Sequence, residues 1–599
     1  MLCGLEIHQR LQGKKLFTAA PAVVPITTNQ VENIKSIRFF RYLTAASGEL
    51  GSIDTAAIFE AKRDRLFSYI APPSTCSLVD LDEEPPASIN KEALIYALSF
   101  SKFIGAKIVD EIYVMRKIVV DGSNVSGFQR TALISLGGEI NEEIKIPIQT
   151  VCLEEESAGI LSQSNKEVIY KLDRQGIPLV EISTSPVFKT ADEAKKAALC
   201  IGRLLRLIPL TMRGLGSIRQ DVNISVEGGA RVEIKGLQNI DLLDALINNE
   251  VKRQLELIEI IKEIKRRDVD FSLMISKDVS KIFVESQCKI FSNALKEKGV
   301  VYALKIPKFK GLLGRELYTN KRFGTEISDY AKIYSQIKGL IHSDENLEKY
   351  KISSSEVAAL KKELQLDEED SFILVADNQQ IVKRALEAIK ERLKFEFVPS
   401  ETRKANEDAS STFLRPISGS SRLYPETDLR PIRTKNYLNS LFKIVPYSER
   451  LEKYQTLVGR DLAVQILNSH NLFLFEEFLE LGLDPKQSVL ILEKYLVEFK
   501  RDGLAVENLS KEILIKALEL YAKKAINSFA LVELLREALV LNMFDLEKLV
   551  AQRNLFQLSF NETRDLFEKE GRDLKKFMQR YKLVANSDFL KKLSSNSKE

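Results

Sequence analysis

From 218 to 226 the chain reads IRQDVNISV, and its polarity changes in steps of two. Arg219, Asp221, Asn223 and Ser225 fall on one side. Ile218, Val222, Ile224 and Val226 fall on the other, with Gln220 the polar exception. Successive side chains on a strand point to opposite faces, so this run reads as a strand with one apolar and one polar face. A buried sheet with a whole polar face lines a cavity or a wet surface.

Three more runs carry the same theme. GLEIH (4–8) reads as a strand on which Glu6 and His8 point together while Leu5 and Ile7 point the other way. An imidazole beside a carboxylate fits a metal corner or an edge-strand ion pair. RVEIKG (231–236) puts Glu233 and Lys235 on one face, as a cross-strand pair or as part of a site. LEEESAG (153–159) places Glu154, Glu155 and Glu156 side by side after an apolar strand. Adjacent acids repel one another unless a cation neutralises them. Hard oxygen ligands suit magnesium carrying a nucleotide's phosphates, and a solvated turn is the plainer alternative. No single run is specific, but four such faces in one β-rich half favour a shared cavity.

The expected fold class is α+β. At 599 residues the chain suggests roughly four domains of ~150 residues. Residues 1–267 and 398–440 form an antiparallel β-rich cradle, with strands expected at 111–122 and 144–156. Helices are expected at 91–103, 191–207 and, on three- and four-residue apolar spacing, 241–267. An α+β module interrupts the cradle at 268–397, with strands at 271–276, 301–307 and 371–377 and helices at 279–299 and 380–394. Residues 441–599 are all helical, broken at Gly482, Pro485, Gly503 and Gly571. The stretch 571–599 holds eight Lys or Arg against three Asp or Glu, which fits a solvated tail or a nucleic-acid contact.

Several classes are excluded. With 44% hydrophobic and 29% charged residues the chain is globular, and a net charge of +4 is no polycation. Five scattered cysteines without a CxxC pair fit free thiols in a reducing cytoplasm. No secretory signal and no uncharged apolar run of ~18 residues is seen, so a cytoplasmic protein with no membrane span is expected. There is no GxxxxGK[ST] loop and no GxSxG elbow, and Arg219 stands where a GxGxxG motif starting at Gly214 needs its third glycine. Three histidines leave few places for a His-based triad.

The runs GLEIHQRL with KLF, LEEESAG, LDRQGIPLVEISTSP (172–186), GSIRQDVNISV, VEIKGLQN (232–239) and YPETDLRPI (424–432) resemble, in order and spacing, the B/E family of tRNA-dependent amidotransferase subunits. Glu156 stands where that family more often has Asp. The run 59–86 is similar to the archaeal E branch. So is the module at 268–397, which with KIPKFKGLLGRELYTNKRFGTEISDYAK (305–332) resembles the insertion domain of bacterial-type aspartyl-tRNA synthetases.

The resemblance implies a protein that binds glutamyl-tRNA(Gln). It would use ATP and Mg2+ to phosphorylate the glutamyl γ-carboxylate, and ammonia would displace the phosphate to give glutaminyl-tRNA(Gln). Ammonia would come from an amidase-type D subunit, in a heterotetramer of two D and two E chains. Carried onto this chain, it implies that Glu6, His8, Glu154 and Glu155 hold the metal or its water, His8 and Glu155 foremost. Asp221 would complete the shell, Glu233 and Lys235 would orient groups, and Arg174 and Arg219 would touch phosphate. The C-terminal helices resemble a tail domain that grips the tRNA elbow, with Arg572, Lys575, Lys576, Arg580 and Lys582 as contacts. Two other readings stand beside this one: a non-catalytic tRNA-binding scaffold, and a bacterial-type B subunit that also serves aspartyl-tRNA(Asn).

Overall fold

The computed structural model describes residues 1–23, 36–44, 51, 53–61, 63, 65–164, 166–214, 216–417, 419 and 422–596. Lys598 and Glu599 of the basic tail lie outside these. The chain divides into two compact units, Met1–Ile444 and Val445–Glu599.

The first unit is built on a twelve-stranded sheet. Ten strands form its path: β1 (Leu2–Arg10), β2 (Val114–Ile118), β3 (Phe128–Leu136), β4 (Lys145–Glu155), β5 (Pro178–Thr184), β6 (Ile218–Ser225), β7 (Val232–Leu237), β8 (Glu401–Ala405), β9 (Ser411–Pro416) and β10 (Leu423–Pro425). Their order is β9-β8-β7-β6-β1-β5-β4-β3-β2-β10. All neighbours are antiparallel except β7 and β8. The expected strand at 111–122 is shorter and split, with Glu111–Ile112 joining Ile432–Arg433 in a separate ladder.

The alternation read in the sequence sets what each face buries. Leu5 and Ile7 of β1, Val222 and Ile224 of β6, Val180 and Ile182 of β5, and Leu153 of β4 enter one core. Helices Lys91–Phe103 and Ala191–Arg206 cover it with Leu94, Phe100, Ile201 and Leu204. Asn90 caps the first by accepting from the Glu92 and Ala93 amides, and Thr190 caps the second by accepting from Glu193. The opposite face of the same strands carries the charged side chains.

Helix Leu243–Arg266 joins this core to the inserted module. Leu243, Leu246 and Ile247 pack under the main sheet, while Leu257, Ile260 and Ile264 enter a second core. The module's four-stranded antiparallel sheet runs Ile275–Asp278, Val300–Ile306, Ser371–Asp377, Ile341–His342. Its strands alternate between two cores: Leu304, Ile306, Ile373 and Val375 face the long helix, and Val301, Ala303, Phe372 and Leu374 face the other side. The expected helix at 279–299 is two pieces, Ser280–Phe283 and Lys289–Lys296. One continuous helix would separate Phe283 and Phe291 by about 12 Å along its axis. The break brings their rings to 4.6 Å.

A buried charge network ties the module to the sheet. Glu326 of helix Phe323–Ser335 accepts from Arg403 of β8 at 2.7 and 2.9 Å, from Arg253 of the long helix at 3.0 Å and from Arg392 at 3.0 Å. Glu401 and Glu250 supply the other negative charges. Buried charges persist only when paired and fully hydrogen-bonded, and this set of three acids and three arginines meets that condition.

In the second unit the regular structure is helical throughout the described residues. Gly482, Gly503 and Gly571 take left-handed φ of 72°, 82° and 70° where helices end. Pro485 opens a helix behind the Asp484 cap. The basic stretch is not a loose tail: Phe577, Ala585 and Phe589 share a core with Phe567.

Candidate active site

The polar face of the sheet forms the floor of a cavity of about 470 Å³. β1 lies between β5 and β6, so the pairing register fixes who meets whom: Glu6 is opposite Ser183 and Asp221, and His8 is opposite Glu181 and Arg219. His8 Nε2 lies 3.5 Å from Glu6, 3.5 Å from Glu181 and 3.8 Å from Glu154. Donor atoms of Glu6, His8 and Glu181 all lie within 4.8 Å of one another, and so do those of Glu6, Asp221 and Glu233. Glu6 belongs to both groups.

Two lysines hold the cluster. Lys235 Nζ is 2.7 Å from Asp221 and 2.7 Å from Glu233. Lys117 Nζ donates to Glu154 at 2.5 Å and lies 3.8 Å from Glu181. Burial alone would raise the Glu181 carboxyl, but the Lys117 charge and the His8 hydrogen bond hold it well below the usual range. Burial opposes a charged His8, yet the Glu181 bond and the charges of Glu181, Glu6 and Asp221 push its pKa up to about 9. Glu6 is pushed up to about 7, first by burial and then by the Glu181 charge. The centre is thus short of positive charge at Glu6. Three carboxylates and an imidazole converging there suit a hard divalent cation.

Arg219 and Arg174 are already engaged. Arg219 Nη1 is 2.9 Å from both Glu156 oxygens, and Arg10 Nε is 2.7 Å from one of them. Arg174 donates to the carbonyls of Ser157 and Ala158. Burial would raise Glu156, but Arg219, Arg174 and Arg10 hold it far below the carboxylate range.

Residues 1–439, which include every residue named around this cavity, match the model of the GatB/GatE catalytic domain. The chain belongs to the GatB/GatE family. It is 40% identical to the E subunit of glutamyl-tRNA(Gln) amidotransferase from Pyrococcus furiosus, over 94% of this chain and 90% of that protein. For the E subunit from Sulfolobus acidocaldarius the figures are 41%, 89% and 85%, and for that from Pyrococcus horikoshii 40%, 94% and 89%. This family membership agrees with the resemblance carried by the sequence runs.

Of the family residues expected at the site, Glu6, His8, Glu154, Asp221, Glu233, Lys235, Arg174 and Arg219 line one cavity. Glu155 does not join them. It follows Leu153 by two, so it lies on the apolar face of β4, while Glu154 and Glu156 face the cavity. There it accepts from the Arg130 amide at 3.0 Å, and burial raises its pKa against the Arg130 charge. Glu181 is a carboxylate that stands beside His8 instead. Sequence reasoning passes over Glu181, although a lone carboxylate between Val180 and Ile182 is a visible signal. It misses Lys117 as well.

Arg572, Lys575, Lys576, Arg580 and Lys582 belong to the second unit, where Lys575 and Lys576 are exposed on helix Leu574–Tyr581. Arg572 pairs with Glu568 and Arg580 with Glu570. No helix among the described residues is long and apolar enough to cross a membrane.

Proposed function

We propose that this chain, as part of a tRNA-dependent amidotransferase, converts glutamyl-tRNA(Gln) to glutaminyl-tRNA(Gln) in two steps within this cavity. The γ-carboxylate takes the terminal phosphoryl group of ATP and releases ADP. Ammonia then attacks the acyl phosphate, a proton is lost, and inorganic phosphate leaves. Direct amide formation would require oxide as a leaving group, which is why activation must come first.

The observation that carries this reading is the convergence of Glu6, Glu154 and Glu181 on His8. These four residues would hold magnesium, which supplies charge neutralisation between two anionic reactants. Lys117 keeps Glu181 ionised and holds Glu154 by a hydrogen bond. Lys235 keeps Asp221 and Glu233 ionised and aimed. Arg219, Arg174 and Arg10 fix Glu156 and so the turn at the end of β4.

Ammonia would come from an amidase-type D subunit in a cytoplasmic heterotetramer of two D and two E chains. The names of the relatives, each an E-type component of an amidotransferase, support a partnered enzyme. The module at 268–397 is proposed as the aspartyl-tRNA synthetase-like insertion. Lys575, Lys576 and Lys582, with Arg572 and Arg580, are proposed to meet the tRNA backbone.

ADP release by the full chain tests the reading. It should be stimulated by glutamyl-tRNA(Gln) and not by aspartyl-tRNA(Asn). Equal stimulation by both would point to the B-type activity, and none by either to a scaffold.

A further inference from the structure

The two strands that end the sheet path, β9 and β10, are consecutive in the chain. Arg415 on β9 and Arg422, just before β10, both reach the cavity described above. The other cations on its wall are already matched: Lys235 by Asp221 and Glu233, Lys117 by Glu154, Arg219 by Glu156. Arg174 is spent on two backbone carbonyls.

Arg415 differs from all of these. Its side chain makes no ion pair or hydrogen bond among the described residues, and its Nε is buried without a partner. Arg422 is oriented by donating Nε to the Ile118 carbonyl at 3.0 Å. Burial and then the Arg415 charge lower the Arg422 pKa, against the opposing charges of Asp54, Glu154 and Asp121. A buried donor left unmet, as at Arg415, is costly. Planar guanidinium forks match phosphate oxygens bidentately. The cavity, at about 470 Å³, is within the size range of small-ligand sites.

We propose that Arg415 and Arg422 form the anion wall of the cavity and bind the polyphosphate of a nucleotide. The inference rests on the nucleotide reading of this site. Arg219 is paired with Glu156 and Arg174 with two backbone carbonyls, whereas the side chain of Arg415, which sequence reasoning does not single out, pairs with no described residue. A phosphodiester of bound RNA offers the same oxygens, and the test separates the two sources.

The full chain with magnesium is titrated with ATP, with inorganic tripolyphosphate, with adenosine and with tRNA(Gln), as wild type, Arg415→Gln, Arg415→Lys and Arg422→Gln. Arg415→Gln and Arg422→Gln should each weaken ATP and tripolyphosphate by about tenfold or more, the loss of a charged hydrogen bond. Adenosine and tRNA(Gln) should bind as before, and Arg415→Lys should recover part of the loss. Wild-type affinity for ATP and tripolyphosphate in Arg415→Gln and Arg422→Gln overturns the inference alone. Loss of tRNA(Gln) binding with ATP binding intact assigns the pair to the RNA backbone and overturns it too. A wild-type chain that binds neither ATP nor tripolyphosphate removes the nucleotide reading and this inference together. Should Arg415→Gln fail to fold, Arg415→Lys and Arg422→Gln decide the matter by the same ratios.

Discussion

Glu181 faces His8 directly across the β1–β5 ladder, with its carboxylate 3.5 Å from His8 Nε2. The two residues are far apart in sequence and adjacent only because β5 pairs with β1. That pairing turns two separate motifs, GLEIH and PLVEIST, into one cluster. Replacing Glu181 by Gln keeps the shape and removes one charge. Magnesium affinity should fall by about tenfold to a hundredfold, read by calorimetry on the full chain. Unchanged affinity would remove Glu181 from the cluster.

The acids of LEEESAG should behave differently from one another. Glu154 lies 3.8 Å from His8 Nε2, whereas Glu155 meets Arg130 on the other face of β4. Glu154→Gln should weaken magnesium binding, and Glu155→Gln should leave it unchanged. The reverse order in the same titration would restore the role that family resemblance gives Glu155.

Acid should loosen the inserted module. Glu326 is fully buried, and although burial raises its pKa, Arg403, Arg253 and Arg392 hold it well below 4.5. A carboxyl depressed in the folded state adds stability that is present above its unfolded pKa and lost as pH falls through the folded value. The loss therefore begins below about pH 4.5. Glu326→Gln should cost about 3–5 kcal/mol at pH 7, because it strands buried arginine charge, and should flatten the acid dependence. Urea unfolding at pH 7 and pH 4 reads both effects. A variant as stable as wild type at pH 7 would contradict this account.

Truncating the basic tail is a poor test of RNA binding, since Phe577 and Phe589 pack on Phe567. Charge reversal at Lys575, Lys576 and Lys582 is cleaner. It should weaken glutamyl-tRNA(Gln) binding and reduce the salt slope by about one for each phosphate no longer neutralised, with the melting temperature kept. A salt slope equal to wild type would show that these lysines do not touch the backbone.

Much of the site is legible in the sequence because a strand has a period of two. That rule alone puts Glu6 with His8, Asp221 with Arg219, and Glu233 with Lys235. It also separates Glu155 from its neighbours, a step the run of three acids disguises. Glu181 and Lys117 are harder, because each is a single charge whose meaning depends on which strand lies beside it. Pairing order is a tertiary fact. The Glu326 network is hidden for the same reason, since Arg253, Glu326 and Arg403 come from segments that meet only in the fold. Arg415 and Arg422 are close in sequence, but only the fold brings their segment to the cavity. The helix expected at 279–299 shows the opposite limit: local periodicity yields to the closure of Phe283 on Phe291.

The most direct test supplies the full chain with glutamyl-tRNA(Gln), ATP, magnesium and ammonium chloride, without a partner, and follows amide formation on the tRNA. The wild-type chain should form glutaminyl-tRNA(Gln), and Glu181→Gln should lose that activity while still binding the tRNA. Amide formation by Glu181→Gln at the wild-type rate, or its absence in a wild-type chain that binds the tRNA tightly, would contradict the account.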